Sequence, residues 1–348
     1  MLDGERLSLF ASNNYLGLAN DPRVVDAAVD AARRWGAGAG SARLITGGIR
    51  LHDDLEHALA TLKRTEAAVL FSSGYMANLG TITALTTAED AIFSDRLNHA
   101  SIIDGARLSH ARVHVYRHAD VDHLDHLLCS SAARRKLVVT DTVFSMDGDL
   151  APLAAIADAC DRHGAILMVD EAHATGVVGP GGRGAVAHFG LEGRVPVVMG
   201  TLSKSLGSAG GYIAGSRELI AFLRNRARPF VFDTAMPPPV AAAALRAVEI
   251  LSSEPQRATR VRALAGRLAA GLRLPDPAAA IVPVLVGEAD EAMRLADLLR
   301  SRGILVPAIR PPSVAPGSAR LRATVMATHT EHHVDAFVHA LTQAHALS

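Results

Sequence analysis

The sequence predicts an α/β protein: a large unit built on a mostly parallel sheet covered by helices, followed by a smaller α+β unit at the C-terminal end. Three observations carry this expectation. Short β-branched runs alternate with helix-length stretches from about residue 68 to residue 214, the pattern of parallel strands joined by helical crossovers. The runs at 166–169 and 195–199 are continuously apolar, as in strands buried on both faces. Beyond Pro237-Pro238-Pro239 the pattern changes to two long helices and then to fewer strands.

Taken in order, residues 7–11 read as a short strand, and Asp21-Pro22 opens a helix over 24–35, with Asp21 as N-cap and Pro22 at the first helical position. Gly36-Ala-Gly-Ala-Gly40 follows that helix. A dinucleotide fingerprint needs a strand before its glycines and a different spacing, so that reading is rejected. A loop approaching a ligand or a second subunit, or a plain linker, remains. A helix is expected over 51–63. Strands are then expected at 68–71, 91–93, 113–116, 137–139, 166–169, 195–199 and 211–214, with a helix running through Ala84. The C-terminal part reads as helices at 240–251 and 255–272, a strand at 280–286, a helix at 290–302, strands at 304–306 and 319–325, and a last helix begun by Thr330 and Glu331. The division expected is 1–20 as an N-terminal segment, 21–236 as the large domain, and 237–348 as a linker helix with the small domain.

Composition narrows the function. Among 348 residues, 35 basic side chains balance 35 acidic ones, so no global field holds nucleic acid or an anionic membrane surface. A small-molecule partner is expected. Cys129 and Cys160 stand alone, outside any Cys-x-x-Cys spacing, which argues against a zinc site or a disulfide framework and fits a reducing cytoplasm. No signal-peptide core and no uncharged run of spanning length is present.

The polar residues that end the strands carry the chemistry. In a parallel sheet, ligands bind beyond the carboxyl ends of the strands. His99, Ser145, Asp170, Thr201 and Lys204 each follow an apolar run, so they are expected to share one crevice. A lone lysine after a strand is most often a solvated loop residue. Lys204, in Gly200-Thr-Leu-Ser-Lys204, gains weight from its company, since desolvation would free its amine for carbonyl chemistry. Asp170 and its neighbour Glu171 end a buried strand, so one of the two points inward and needs a cation or strong donors. His173 lies within reach of the same ligand, although a hydrogen-bonded structural histidine reads equally well. His99 offers a flat ring for stacking. Gly74 and Tyr75 open a helix whose N-H groups and dipole suit a phosphate, with hydroxyls from Thr201 and Ser203 beside it. An imine-forming lysine, a carboxylate for a pyridinium, a stacking ring and a helix N-terminus together describe a pyridoxal phosphate site.

At these residues the chain resembles the α-oxoamine synthase family of pyridoxal phosphate enzymes. The matching stretches are Ser12-Asn-Asn-Tyr-Leu-Gly-Leu18, Ser73-Gly-Tyr-Met-Ala-Asn78, Asp95-Arg-Leu-Asn-His-Ala-Ser101, Phe144-Ser-Met-Asp-Gly-Asp149, Val169-Asp-Glu-Ala-His-Ala-Thr-Gly176, Gly200-Thr-Leu-Ser-Lys204 and Ala308-Ile-Arg-Pro-Pro-Ser-Val314. They cover nearly the whole chain in the family's order. The resemblance implies the aspartate-aminotransferase-like fold, called fold type I, and a homodimer whose second subunit completes the site. It implies that Lys204 forms the imine with pyridoxal 5'-phosphate, that Asp170 pairs with the pyridine nitrogen, and that His173 and Ser145 flank the phenolic oxygen. His99 would stack on the ring and touch substrate, and Gly74, Tyr75 and Thr201 would hold the cofactor. Asn13, Ser313 and Arg322 match substrate positions, with Arg310 a second candidate for clamping a carboxylate. The last stretch, continued by Gly317-Ser-Ala-Arg-Leu-Arg322, is similar to the branch that condenses L-alanine with a pimeloyl thioester on coenzyme A or a pimeloyl carrier protein. A glycine-using sibling and a non-catalytic partner subunit are the alternatives. Two departures stand out. The family's N-terminal helical arm, which precedes the segment matching Leu7 to Leu18, is read as truncated, and Asp141-Thr142 stands where many relatives carry Glu-Gly.

Overall fold

A computed structural model of the chain describes residues 4–345. Its centre is a seven-stranded sheet, and the chain reaches it only after a short N-terminal strand, β1 (Ser8–Leu9), and two helices, Pro22–Trp35 and Arg50–Lys63. The first of these helices starts as expected, with the Asp21 carboxylate accepting from the Arg23 N-H and Pro22 at the first position. Between the two helices, Arg43–Gly47 forms a single wide π turn, a feature with no counterpart in the sequence reading.

The sheet strands are β2 (Ala67–Phe71), β3 (Ala91–Asp95), β4 (Arg112–Tyr116), β5 (Lys136–Asp141), β6 (Ile166–Asp170), β7 (Val197–Thr201) and β8 (Gly211–Gly215). Their spatial order is β2-β8-β7-β6-β5-β3-β4. β8 runs antiparallel to both of its neighbours, while the other pairings are parallel. Six strands therefore point the same way, and their carboxyl ends meet at one edge. β7 begins two residues later than the apolar run suggests, because Pro196 has no N-H to give the ladder.

Alternation along the strands builds a core on each face. Leu70, Val138, Leu167, Val169 and Val198 join one cluster, together with the helices Pro22–Trp35, Arg50–Lys63, Leu153–His163 and Pro238–Ser253. Their neighbours Val69, Val139, Met168, Val197 and Met199 join the other, beneath Gly74–Leu85, Ala100–Leu108 and Arg217–Arg226. Both faces are dry, which is why these strands read as unbroken apolar runs.

A third core lies in the C-terminal part. β9 (Ile281–Gly287), β10 (Ile304–Leu305), β11 (Ala308–Ile309) and β12 (Ala319–Thr324) follow the long helices. β12 pairs antiparallel with β9 and β11, and β10 pairs parallel with β1. Phe10 is fully buried in this third cluster, so the N-terminal segment is stitched to the C-terminal unit. Among the described residues no helix is long and apolar enough to cross a membrane.

Candidate active site

The aligned strand ends enclose a cavity of about 230 Å³. Gly74, Tyr75, His99, Ser145, Asp170, His173, Thr201 and Lys204 all line it, so residues up to 130 positions apart meet in the crevice expected from the sheet topology.

Asp170 is the last residue of β6, and Glu171 follows it. Successive side chains of an extended segment point to opposite sides, and here Asp170 faces the cavity while Glu171 turns away to Lys63, with Nζ to Oε2 at 2.5 Å. Asp170 is held by two donors: Asn78 Nδ2 to Oδ2 at 2.7 Å and the Ala172 N-H to Oδ1 at 2.8 Å. Asn78 also donates to Ser101 Oγ at 2.9 Å, and its own Oδ1 is buried without a partner. Because the Ser101 N-H donates to His99 Nδ1, the neutral imidazole of His99 carries its proton on Nε2. Burial holds His99 below the ordinary histidine value, so it is neutral at pH 7.

Lys204 stands three residues beyond β7, in a turn closed by the Leu202 N-H on Gly210 O. Its Nζ lies 2.9 Å from His173 Nε2. Burial pushes the Lys204 amine below the ordinary lysine value, against the charges of Asp170 and Asp141. His173 is pushed well below the usual imidazole range, first by burial and then by the Lys204 charge. Its Nδ1 lies 2.7 Å from Tyr15 Oη.

The Asp141 carboxyl is also in the cavity wall. It pairs in register with Asp170 across β5 and β6 and accepts the His99 N-H at 2.8 Å. Burial, and then the charge of Asp170, raise its pKa well above the carboxylate range. The substitution noted in the sequence thus sits directly behind His99.

At the other end, Ser73 caps the helix Gly74–Leu85 by accepting from the Met76 N-H. The helix start lies so close to β8 that a Cβ on Gly211 would stand 2.6 Å from the Gly74 backbone. Thr201 Oγ1 and Ser203 Oγ lie 2.8 Å apart beside it. Backbone donors, the dipole and three hydroxyls converge there without a fixed anion partner, a donor set that fits a phosphate.

The substrate candidates divide. Arg322, on β12, is buried. Its Nε donates to Ser145 O and its Nη1 to Asn13 Oδ1 at 3.4 Å. Asn13 is tied to Tyr15, whose hydroxyl donates to Asn13 Oδ1 at 3.0 Å. Ser313 lies on an exposed turn, and Arg310 points to Met293 Sδ. None of these four candidates lines the cavity itself; Arg322 and Asn13 stand behind its wall, Arg322 bonded to the lining residue Ser145 and Asn13 joined through Tyr15 to His173. Tyr15 and Asn78 were not singled out by the sequence reading, although both lie inside quoted motifs. Asn78 carried one available signal, a polar residue one turn past the start of a largely apolar helix.

A family model for aminotransferase class I and II matches residues 6–341. The chain belongs to that family. Within it, the chain is 54% identical over 343 residues to an 8-amino-7-oxononanoate synthase of Anaeromyxobacter dehalogenans, covering 97% of this chain and 86% of the relative. A structure of SPT with its PLP internal aldimine superposes with a TM-score of 0.96 at 33% identity, covering 99% of this chain and 89% of that one. An 8-amino-7-oxononanoate synthase from Francisella tularensis superposes with a TM-score of 0.83 at 26% identity, covering 98% of both. The fold is therefore the aminotransferase-like arrangement expected of fold type I, and the chain is a pyridoxal phosphate-dependent enzyme of this family.

Proposed function

We propose that the chain joins L-alanine to a pimeloyl thioester with loss of carbon dioxide, releasing 8-amino-7-oxononanoate and the free carrier thiol, as a step of biotin biosynthesis. The observation that carries the reading is the half-buried Lys204, its amine 2.9 Å from His173 in a cavity it shares with Asp170, in a chain about half identical to synthases of that name.

The residues present fit pyridoxal phosphate. Lys204 would hold its aldehyde carbon, Asp170 its ring nitrogen, and Gly74, Tyr75 and Thr201 its phosphate end, with Ser145 and His173 along the ring edge. When bound, the cofactor supplies an electron sink for the pair left when the alanine Cα loses its proton. The protein's contribution is placement. The amine of Lys204, with its pKa lowered by burial, would take the Cα proton of alanine. Asp170, fixed by Asn78 and the Ala172 N-H, keeps a positive ring nitrogen in place. Arg322, with Asn13, orients the amino acid carboxylate. His99, which lines the cavity and carries its proton on Nε2, would donate to the thioester oxygen as negative charge develops there.

A homodimer is part of the reading. It is supported by Leu44, Ile45 and Phe232, which are 53%, 75% and 70% exposed on neighbouring turns beside Phe230, a cluster that one chain leaves in water. A cytoplasmic location is part of it too. Lys204→Ala tests the chemistry: the variant is expected to lose both the borohydride-trapped cofactor adduct and turnover. An alanine variant that turns over at the parent rate would falsify the assignment.

A further inference from the structure

A line of hydrogen bonds runs from the lysine to the arginine through a residue with no assigned part. Tyr15 is fully buried, and its hydroxyl touches His173 Nδ1 at 2.7 Å and Asn13 Oδ1 at 3.0 Å. Beyond these lie Lys204 Nζ, 2.9 Å from His173 Nε2, and Arg322 Nη1, 3.4 Å from the same Asn13 oxygen. Arg322 only donates, so the atom it meets on Asn13 is the carbonyl oxygen, an acceptor. Tyr15 has one proton, and with its pKa pushed up to about 12 by burial it stays a phenol. If that proton is given to Asn13, the tyrosine oxygen can only accept from His173. A neutral imidazole has a single N-H, which must then sit on Nδ1. The Nε2 lone pair is left facing the lysine.

We propose that Tyr15 is a positioning residue, which by bonding Asn13 and His173 at once fixes the His173 tautomer and presents its Nε2 lone pair to the Lys204 amine. Resting on the proposed function, this joins the side of the site that grips the amino acid carboxylate to the amine that does the chemistry. The charged form of Lys204 donates to that lone pair and is stabilised by it. Other groups face the same two atoms: Asp170 and Asp141 favour the ammonium, Arg322 opposes it, and His99 and Arg322 act on His173. None of them contacts His173 Nδ1, so the tautomer is left to Tyr15.

Tyr15→Phe keeps the buried ring and removes only the hydroxyl. The rate at which unloaded protein captures pyridoxal 5'-phosphate, followed by visible absorbance, is measured against pH for parent and variant. Cofactor ionisations are common to both and cancel in the difference. Loss of one hydrogen bond to a charged group predicts a midpoint displaced downward by about one pH unit in the variant. Asn13→Ala frees the Tyr15 proton to turn onto Nδ1, and the displacement is expected in the same direction. This second variant decides the matter if Tyr15→Phe does not fold. A superimposable profile, or one displaced upward, overturns the proposal. Nitrogen-15 shifts of the His173 ring, assigned by difference from His173→Asn, read the tautomer without cofactor. Protonated Nδ1 in the parent is expected, and protonated Nε2 overturns the proposal. A parent protein that never captures the cofactor refutes the function instead, and leaves the nitrogen-15 measurement to judge Tyr15.

Discussion

Breaking the ion pair behind the active-site strand should be costly, and breaking both halves together should not. Lys63 and Glu171 have side chains 3% and 0% exposed and meet at 2.5 Å. Lys63 also donates to Thr175 Oγ1 at 2.8 Å and Arg183 O at 2.6 Å, while Glu171 Oε1 accepts the Val186 N-H at 2.7 Å. Burial alone would depress the Lys63 ammonium, and the charges and hydrogen bonds of Glu171 and Tyr212 together more than reverse this, so its pKa stands above the ordinary lysine value. Lys63→Met strands the fully buried Glu171 carboxylate without its cation, at a cost of about 3–5 kcal/mol. For a chain of 348 residues this lowers Tm by about 4–7 °C. Lys63→Met with Glu171→Leu removes both charges, and most of the loss should return, because apolar replacement of a whole buried pair is close to neutral. Calorimetry of the two single variants and the double variant closes the cycle. A single variant melting within about 1 °C of the parent, or a double variant losing the sum of the two, refutes the assignment of a buried, interdependent pair.

Two further outcomes follow from other parts of the molecule. His118 bridges Asp95 at 3.0 Å and Asp149 at 2.9 Å, tying the loop that carries Ser145 to the end of β3. Burial opposes its charge, yet the two carboxylates raise its pKa above the ordinary 6.5. Its contribution is therefore full below about pH 6.5 and lost as pH rises through the higher folded value. The parent-minus-variant difference in Tm for His118→Gln should shrink across that interval, and a difference constant with pH contradicts it. Arg322→Lys keeps the charge but not the planar fork. KM for the amino acid should rise about 10-fold or more, from a lost charge-assisted hydrogen bond, with a smaller change in kcat. Steady-state kinetics with unchanged KM would remove Arg322 from the substrate side.

The central strands of the sheet were legible because both their faces are buried, so that they announce themselves as unbroken apolar runs ending in polar residues. Asp170 and Lys204 were legible for the same reason. Their neighbours in space were not. Tyr15 meets His173 across 158 positions, and Arg322 meets Ser145 across 177, and no local pattern encodes such pairings. Asp170 and Glu171 looked equivalent in the sequence, and only the direction of the strand end separates the cavity-facing carboxylate from the one paired with Lys63. The π turn at Arg43–Gly47 also escaped, since an extra residue in a helical turn leaves no periodic trace. Ser313 and Arg310, matched by motif, lie away from the cavity on an exposed turn.

Product analysis tests the central claim most directly. Purified protein loaded with pyridoxal 5'-phosphate is given L-alanine, glycine or L-serine, each with pimeloyl thioesters of coenzyme A and of carrier protein, and the products are weighed by mass spectrometry. Alanine should yield 8-amino-7-oxononanoate with one carbon dioxide released per condensation. Condensation with glycine or serine while alanine gives nothing would contradict the account.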